Sequence, residues 1–215
     1  MTFDDYRDIA NLTAENQLNS QEEKDIRLLD IAIQKDPFNL EARVKKAFIL
    51  FEAHMDGQAI KVLNEVLTLN PQYVDAYMWL GEFLLFHWAD SESAIPLLKE
   101  AQNIDPNRAE IYYLLGCAYS KRDKINEAIL HTQKAAQLEP TWPHPRMCLI
   151  DYLLLAGRTD EARVELQELD RYLEPSVPEP EDEMERYYEN LFTGRYMGPY
   201  KKEWLEKLRT QLSAT

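Results

Sequence analysis

The chain has 215 residues, 45% of them hydrophobic, with six glycines, two cysteines and a formal charge of −14 at pH 7. That is enough apolar material for one sizeable core and too little glycine for a β-rich fold. The charge has the wrong sign for a phosphate-binding surface, which needs surplus Lys and Arg to displace counterions, so it argues against nucleic acid as a partner, and a basic partner or plain solubility fits better.

Residues 1–37 are expected to form a divergent helix pair, roughly Phe3 to Gln17 and Gln21 to Lys35, with Ser20 and Glu23 as a capping box for the second helix. The stripe Ile26, Leu29, Ile33 keeps helical period, whereas Tyr6, Ile9 and Leu12 make a weaker one. The run MTFDDYRDIANLTAE lacks a basic segment followed by an apolar one, and no apolar run reaches membrane-spanning length. A cytoplasmic location without membrane insertion is expected, and the Asn11-Leu12-Thr13 sequon is then a chance match.

A second pair runs from Leu40 to Pro71, with Ala47, Leu50, Ala59, Leu63 and Val66 as landmarks and Asp56-Gly57 expected in its turn. Arg43 and Lys46 stand where the next copies carry bulky apolar residues, which predicts looser packing on the preceding pair or a shifted register. The third pair, Val74 to Pro106, carries one extra residue: Leu84 to Ala94 spans ten residues where Tyr119 to Ala128 spans nine. That insertion is expected to bulge the turn and expose Trp88. Pro96 is read into the first turns of the second helix, where a missing N–H costs little.

The fourth pair, Tyr112 to Pro140, repeats the landmarks: Tyr112, Leu115-Gly116, Tyr119, Ala128, Ala135 and a closing proline. A fifth begins at Pro143 with Leu149, Leu153, Ala162, Leu166 and Leu169, Gly157 in the turn and Thr159 as N-cap. Cys117 and Cys148, both inside apolar helical runs, read as small core residues in a reducing compartment.

After Leu173 the composition turns acidic and proline-rich over 174–182, an extended linker. Residues 183–215 then supply capping or docking helices, roughly Glu181 to Phe192 and Lys201 to Leu212. Met184, Tyr188 and Leu191 form one stripe, and Leu205, Leu208 and Leu212, with Trp204 beside them, form another. An open stack of hairpins needs an element that covers its last member. The alternatives are that this segment folds into the chain's own groove or pairs with a second copy.

Pro37, Pro71, Pro106 and Pro140 are separated by 34, 35 and 34 residues. This spacing, the Leu-Gly pair flanked by aromatics and the small residues of the second helix resemble the tetratricopeptide repeat family. The resemblance is strongest over 74–140, extends over 38–173 as a repeat array, and is weak over 1–37. It departs from the pattern at Arg43, Lys46, Ile150, Thr132 and Glu174. The implied fold is all-α: a right-handed solenoid of stacked antiparallel helix hairpins with C-terminal capping helices.

No phosphate loop, His-Glu-x-x-His, Cys-x-x-Cys or Gly-x-Ser-x-Gly occurs. His54, His87, His131 and His144 are scattered one per hairpin. Neither enzyme activity, a metal nor a cofactor is expected. In such a solenoid the free sides of the first helices line a concave groove, here Val44, Phe48, Phe51, Met78, Glu82, Leu85, Tyr113, Cys117, Ser120, Met147, Asp151 and Leu154. Val44, Leu85 and Leu154 have a second reading as packing between neighbouring first helices.

Met and aromatic side chains suit an amphipathic helix or apolar segment, and Glu82 and Asp151 would select Lys or Arg. Family members that recognise acidic chaperone C-termini use a clamp of Lys, Asn and Arg at these places. Here the places hold Val44, Phe48, Met78 or Trp79, Glu82, Tyr113 and Leu114, so that clamp is absent. The expected role is a non-catalytic adaptor for an apolar, basic protein or peptide. The alternatives are a self-assembling homo-oligomeric scaffold, or a chaperone of secreted substrates of the type III secretion class.

Overall fold

The computed structural model describes residues 18–172 and 199–213. The expected helices over 3–17 and 181–192 and the linker at 174–182 lie outside the described residues. Among the described residues there are ten α-helices and no strand: α1 (Ser20–Lys35), α2 (Leu40–Glu52), α3 (Asp56–Leu69), α4 (Val74–Phe86), α5 (Ser91–Ile104), α6 (Ala109–Ser120), α7 (Ile125–Leu138), α8 (Pro143–Leu155), α9 (Thr159–Tyr172) and α10 (Pro199–Ser213). They divide into two compact units, Met1–Pro106 with α1 to α5 and Asn107–Thr215 with α6 to α10.

Four second helices stop in the same way, and proline is the reason. A residue before proline is forced out of the helical region by the pyrrolidine ring. Asp36, Asn70, Asp105 and Glu139 each cap their helix in extended geometry (φ −134, −142, −126 and −131°). Each still donates its N–H to the carbonyl four residues back, at Ala32, Val66, Ala101 and Ala135. The proline spacing therefore sets the repeat length mechanically.

The turns inside the hairpins are also alike, and in the second hairpin the turn residue differs from expectation. His54, Ala89, Asp123 and Gly157 all have positive φ (55, 53, 57 and 73°). The N–H groups of Met55, Lys124 and Arg158 reach back five residues to Leu50, Tyr119 and Leu153, the closure of a helix by a left-handed residue. In the third hairpin the bond runs six residues, from Asp90 to Leu84, so the extra residue predicted there is present. Asp56-Gly57, expected in a turn, opens α3 instead.

The inserted residue does not expose Trp88. Its ring sits edge-on to Phe83 at 5.3 Å and its Nε1 donates to Asp56 Oδ2 at 3.1 Å, leaving it half-buried. Pro96 is the sixth residue of α5, within the first turns as expected, and its ring removes one N–H there. Asn19, not Ser20, caps α1: its side chain accepts from Glu22 N, and the Glu22 carboxylate accepts from Asn19 N at 2.8 Å. Thr159 is the first residue of α9 rather than its cap.

Arg43 and Lys46 do not loosen the first unit. Lys46 Nζ reaches Asp30 of α1 at 2.6 Å, and Arg43 donates to Glu65 of α3 at 3.0 Å and to the Pro37 carbonyl at 3.1 Å. Long apolar stems lie on the core while the charged ends find partners on both neighbouring helices.

In the third and fourth hairpins the two helices meet at a glycine. A Cβ on Gly81 would stand 2.7 Å from Leu98 Cδ2, and one on Gly116 would stand 2.1 Å from the Thr132 hydroxyl. Leu98 and Thr132 are both fully buried, so neither crossing has room for a side chain. The fifth hairpin has Ile150 at that place, also fully buried. Its core is completed by α10, whose Leu205, Leu208 and Leu212 join Leu149, Ile150, Leu153, Leu166 and Leu169. Arg163 donates to the Leu212 carbonyl at 3.1 and 3.3 Å, and Arg209 pairs with Asp170. The stripe read from sequence is thus the buried face of a helix that covers the last hairpin.

Candidate partner-binding faces of the first helices

In the first unit α2 and α4 lie side by side. Phe48 meets Trp79 at 5.1 Å and Phe51 stacks on Phe83 at 3.9 Å, so large rings set the spacing of the two helices. Val44, Phe48, Phe51 and Met78 are buried, and Leu85 is fully buried. Of the six first-unit groove positions, Glu82 alone keeps part of its surface in water. Burial, with the charge of Glu52 behind it, pushes the Glu82 carboxyl up to about 7. Among the described residues no Lys or Arg pairs with it.

Met78, Glu82 and Phe86 follow one another at four-residue intervals and share a face of α4. Phe86, which the groove positions read from sequence omit, is 47% exposed. Trp79, half-buried against Phe48, borders the same acid. An apolar rim around one carboxyl without a counter-charge can hold a cation that carries an apolar stem.

In the second unit the positions are more polar. Tyr113 packs on Trp142 at 5.0 Å. The Tyr152 hydroxyl of α8 donates to Cys117 Sγ of α6 at 4.0 Å. Burial and the neighbouring sulfurs push the Tyr113 and Tyr152 phenols well above their ordinary range. The Cys148 hydrogen bond pulls the Cys117 thiol down, and the same bond pushes Cys148 up.

Asp151 is raised by burial, opposed by a hydrogen bond from Trp204 of α10. Met147 and Leu154 pack on the cluster that α10 completes, together with Trp204. The second-unit acid therefore already has a donor from its own chain, unlike Glu82. Cys148 and Tyr152 were missed as site residues. Their signal in the sequence is four-residue spacing on α8, next to the Met147 and Asp151 row.

The histidines have local roles: His131 stacks on Tyr119 at 5.1 Å and His87 on Phe83 at 4.8 Å. Among the described residues no group of three or more His, Cys, Asp or Glu side chains is arranged to hold a metal ion, and no helix is long and apolar enough to cross a membrane.

Residues 109–142, from the start of α6 to Trp142, match the family model described as tetratricopeptide repeat. The mouse interferon-induced protein with tetratricopeptide repeats 2 is 28% identical over 169 residues, which is 68% of this chain and 36% of that protein. The chain thus spans about a third of that relative's length. Among solved structures, MamA from Desulfovibrio magneticus RS-1 superimposes with a TM-score of 0.61 at 22% identity, covering 79% of this chain and 94% of that one. TTC0263, a thermophilic repeat protein of Thermus thermophilus, gives 0.58 at 22% identity over 88% and 87% of the two chains. Human IFIT1, solved as a dimer with m7Gppp-AAAA, gives 0.58 at 22% identity over 66% and 34%. At these identities the structural likeness speaks for the fold.

Proposed function

We infer that this chain, a tetratricopeptide-repeat protein, is a non-catalytic interaction scaffold that takes a basic, apolar segment of a partner on the first helices of its first unit. The observation that carries this reading is Glu82: a carboxyl raised to about 7, with no cation in reach among the described residues, between Met78, Trp79 and Phe86. A Lys or Arg laid across that rim supplies the missing counter-charge, while its stem and flanking apolar residues cover the exposed Phe86 ring. Five of the six groove positions there are buried and serve as the seat rather than as direct contacts. The RNA complex of IFIT1 belongs to that protein; a charge of −14 argues against the same ligand here.

The test uses amphipathic peptides with a single Lys among apolar residues, and the same peptides with norleucine in its place, titrated into the full chain by calorimetry. The Lys peptide binds more tightly than the norleucine peptide, and Glu82→Lys weakens it by about tenfold or more. Its affinity rises from about pH 6 to about pH 8, as Glu82 gives up its proton to accept the cation. Equal affinity for the two peptides, or indifference to Glu82→Lys, would refute the assignment.

Self-assembly is the second reading, favoured by α1, which presents Leu28 (64% exposed) and Ile31 (48%) one turn apart to solvent. Light scattering across micromolar concentrations separates the two, because a monomer throughout is incompatible with assembly.

A further inference from the structure

Four residues join each second helix to the next first helix, at 36–39, 70–73, 105–108 and 139–142. The helix that covers the last hairpin comes instead after residues 173–198. A cap that only closed the stack could follow at the short spacing used everywhere else. A link of this length lets α10 leave the hairpin and stay on the chain.

α10 also differs in charge from the chain that carries it. In a protein of −14 it has Lys201, Lys202, Lys207 and Arg209 against Glu203 and Glu206. α9 beneath it has Asp160, Glu161, Glu165, Glu168 and Asp170 against Arg163 and Arg171. Leu205, Leu208 and Leu212 form the apolar stripe, each 4% exposed, and Trp204 packs at its edge. Between the helices Arg209 pairs with Asp170, and Arg163 donates to the Leu212 carbonyl. The contact of α10 with α9 is narrower than that of α8 with α7. α10 is therefore a basic amphipathic helix held on an acidic, apolar face by a short row of contacts.

We propose that the face of α8 and α9 beneath α10 is a docking site for a basic amphipathic helix of another protein, with α10 its tethered occupant, displaced when the partner binds. The partner helix carries large apolar side chains at three- and four-residue spacing, which take the places of Leu205, Leu208 and Leu212, and a Lys or Arg where Arg209 meets Asp170. It has to outcompete a helix already present at the effective concentration that the tether gives, so a loosely matched apolar segment is turned away. With α10 in place, Ile150, Leu166 and Leu169 stay covered until such a helix arrives. This site lies in the second unit and does not depend on the reading of Glu82.

The probe is a fluorescent peptide of residues 199–213, titrated into the full chain by anisotropy. Leu205→Asp with Leu208→Asp in the full chain puts two charges into the apolar cluster and releases α10 from the face. The released chain binds the peptide about tenfold or more tightly than the wild type, in which α10 competes. A peptide carrying Leu208→Asp does not bind it. Asp170→Lys added to the released chain weakens the unaltered peptide several-fold, as charge reversal at the Arg209 contact requires.

Native-state hydrogen exchange on the unmodified chain is the second measurement, and it needs no variant to fold. The α10 amides exchange about tenfold or more faster than those of α8 and α9, because α10 opens while the hairpin stays closed. Equal affinity of the peptide for the wild type and the released chain would place the peptide elsewhere on the molecule and overturn the proposal. So would α10 amides that exchange only together with α8 and α9, which is the behaviour of an integral cap. A released chain that pairs with itself in light scattering instead of taking the peptide would assign the face to a second copy and overturn it as well.

Discussion

The first helices of the two units are built on one frame and filled with different chemistry. In both, a proline-terminated second helix, a left-handed turn residue and a glycine crossing hold the hairpin. Between α2 and α4 stand stacked aromatics and one unneutralised acid; between α6 and α8 stand two thiols and two phenols. The frame occupies the faces that touch within a hairpin. The faces between successive first helices are left to diverge, and the Glu82 site lies there.

The sharpest way to break this comparison is Phe51→Ala. Phe51 is 3% exposed and stacks on Phe83, so its loss leaves a cavity and destabilises by about 3–5 kcal/mol in a chemical melt. A cost below about 1 kcal/mol would mean that α2 and α4 close up and that the rings do not set their spacing.

Next comes Glu82. Its folded-state carboxyl lies at about 7, above the ordinary carboxylate value of 4.5, so through that window the folded chain keeps a proton that the unfolded chain has released. Stability therefore falls as pH rises from the ordinary carboxylate range to about 7, by about 3 kcal/mol at most, and stays low above it. Glu82→Gln removes this contribution, gaining at about pH 8 and changing little at about pH 4. An unchanged difference between the two proteins across that range would show a fully solvated acid.

Gly116→Leu tests the shared frame directly. With the Thr132 hydroxyl 2.1 Å from where a Cβ would stand, the crossing must open, costing about 1–3 kcal/mol. Gly116→Ala combined with Thr132→Ala recovers most of the loss from Gly116→Ala alone, because the obstructing hydroxyl is gone. An unshifted melting temperature in Gly116→Leu would contradict the close approach.

The smallest effect is expected in the turns. Ala89 holds φ of 53° where glycine would be unstrained, so Ala89→Gly stabilises by about 1 kcal/mol or less. Gly157→Ala destabilises by a similar amount, although nothing stands within 4 Å of its Cβ position, because φ of 73° is strained for alanine. If both changes were neutral, the left-handed turn would not be a shared stress of the frame.

Much of the fold was legible because each signal is local. Pre-proline sterics set Asp36, Asn70, Asp105 and Glu139, and the Leu84-to-Ala94 count revealed the longer third turn. The second hairpin's turn was misplaced because His54 carries a side chain, and only the hydrogen-bond closure forces it left-handed. Asp56-Gly57 looked like a turn by composition, yet hairpin geometry had already turned the chain at His54.

The candidate site was less legible for a different reason. Whether Leu85 or Glu82 meets a neighbouring helix or water depends on how far apart two helices stand, and in the first unit the Phe51–Phe83 and Phe48–Trp79 pairs set that distance. Periodicity names the face of a helix but not what covers it.

By itself the sequence determined the helical hairpins, their repeat length and the apolar stripe at Leu205, Leu208 and Leu212, since these follow from pre-proline sterics and apolar periodicity. Tertiary structure alone decided that this stripe covers the last hairpin, that Glu82 lacks a cation among the described residues, and that Cys117 meets Tyr152. Charge partners and sulfur contacts are made across helices, at distances that packing sets and sequence spacing does not encode.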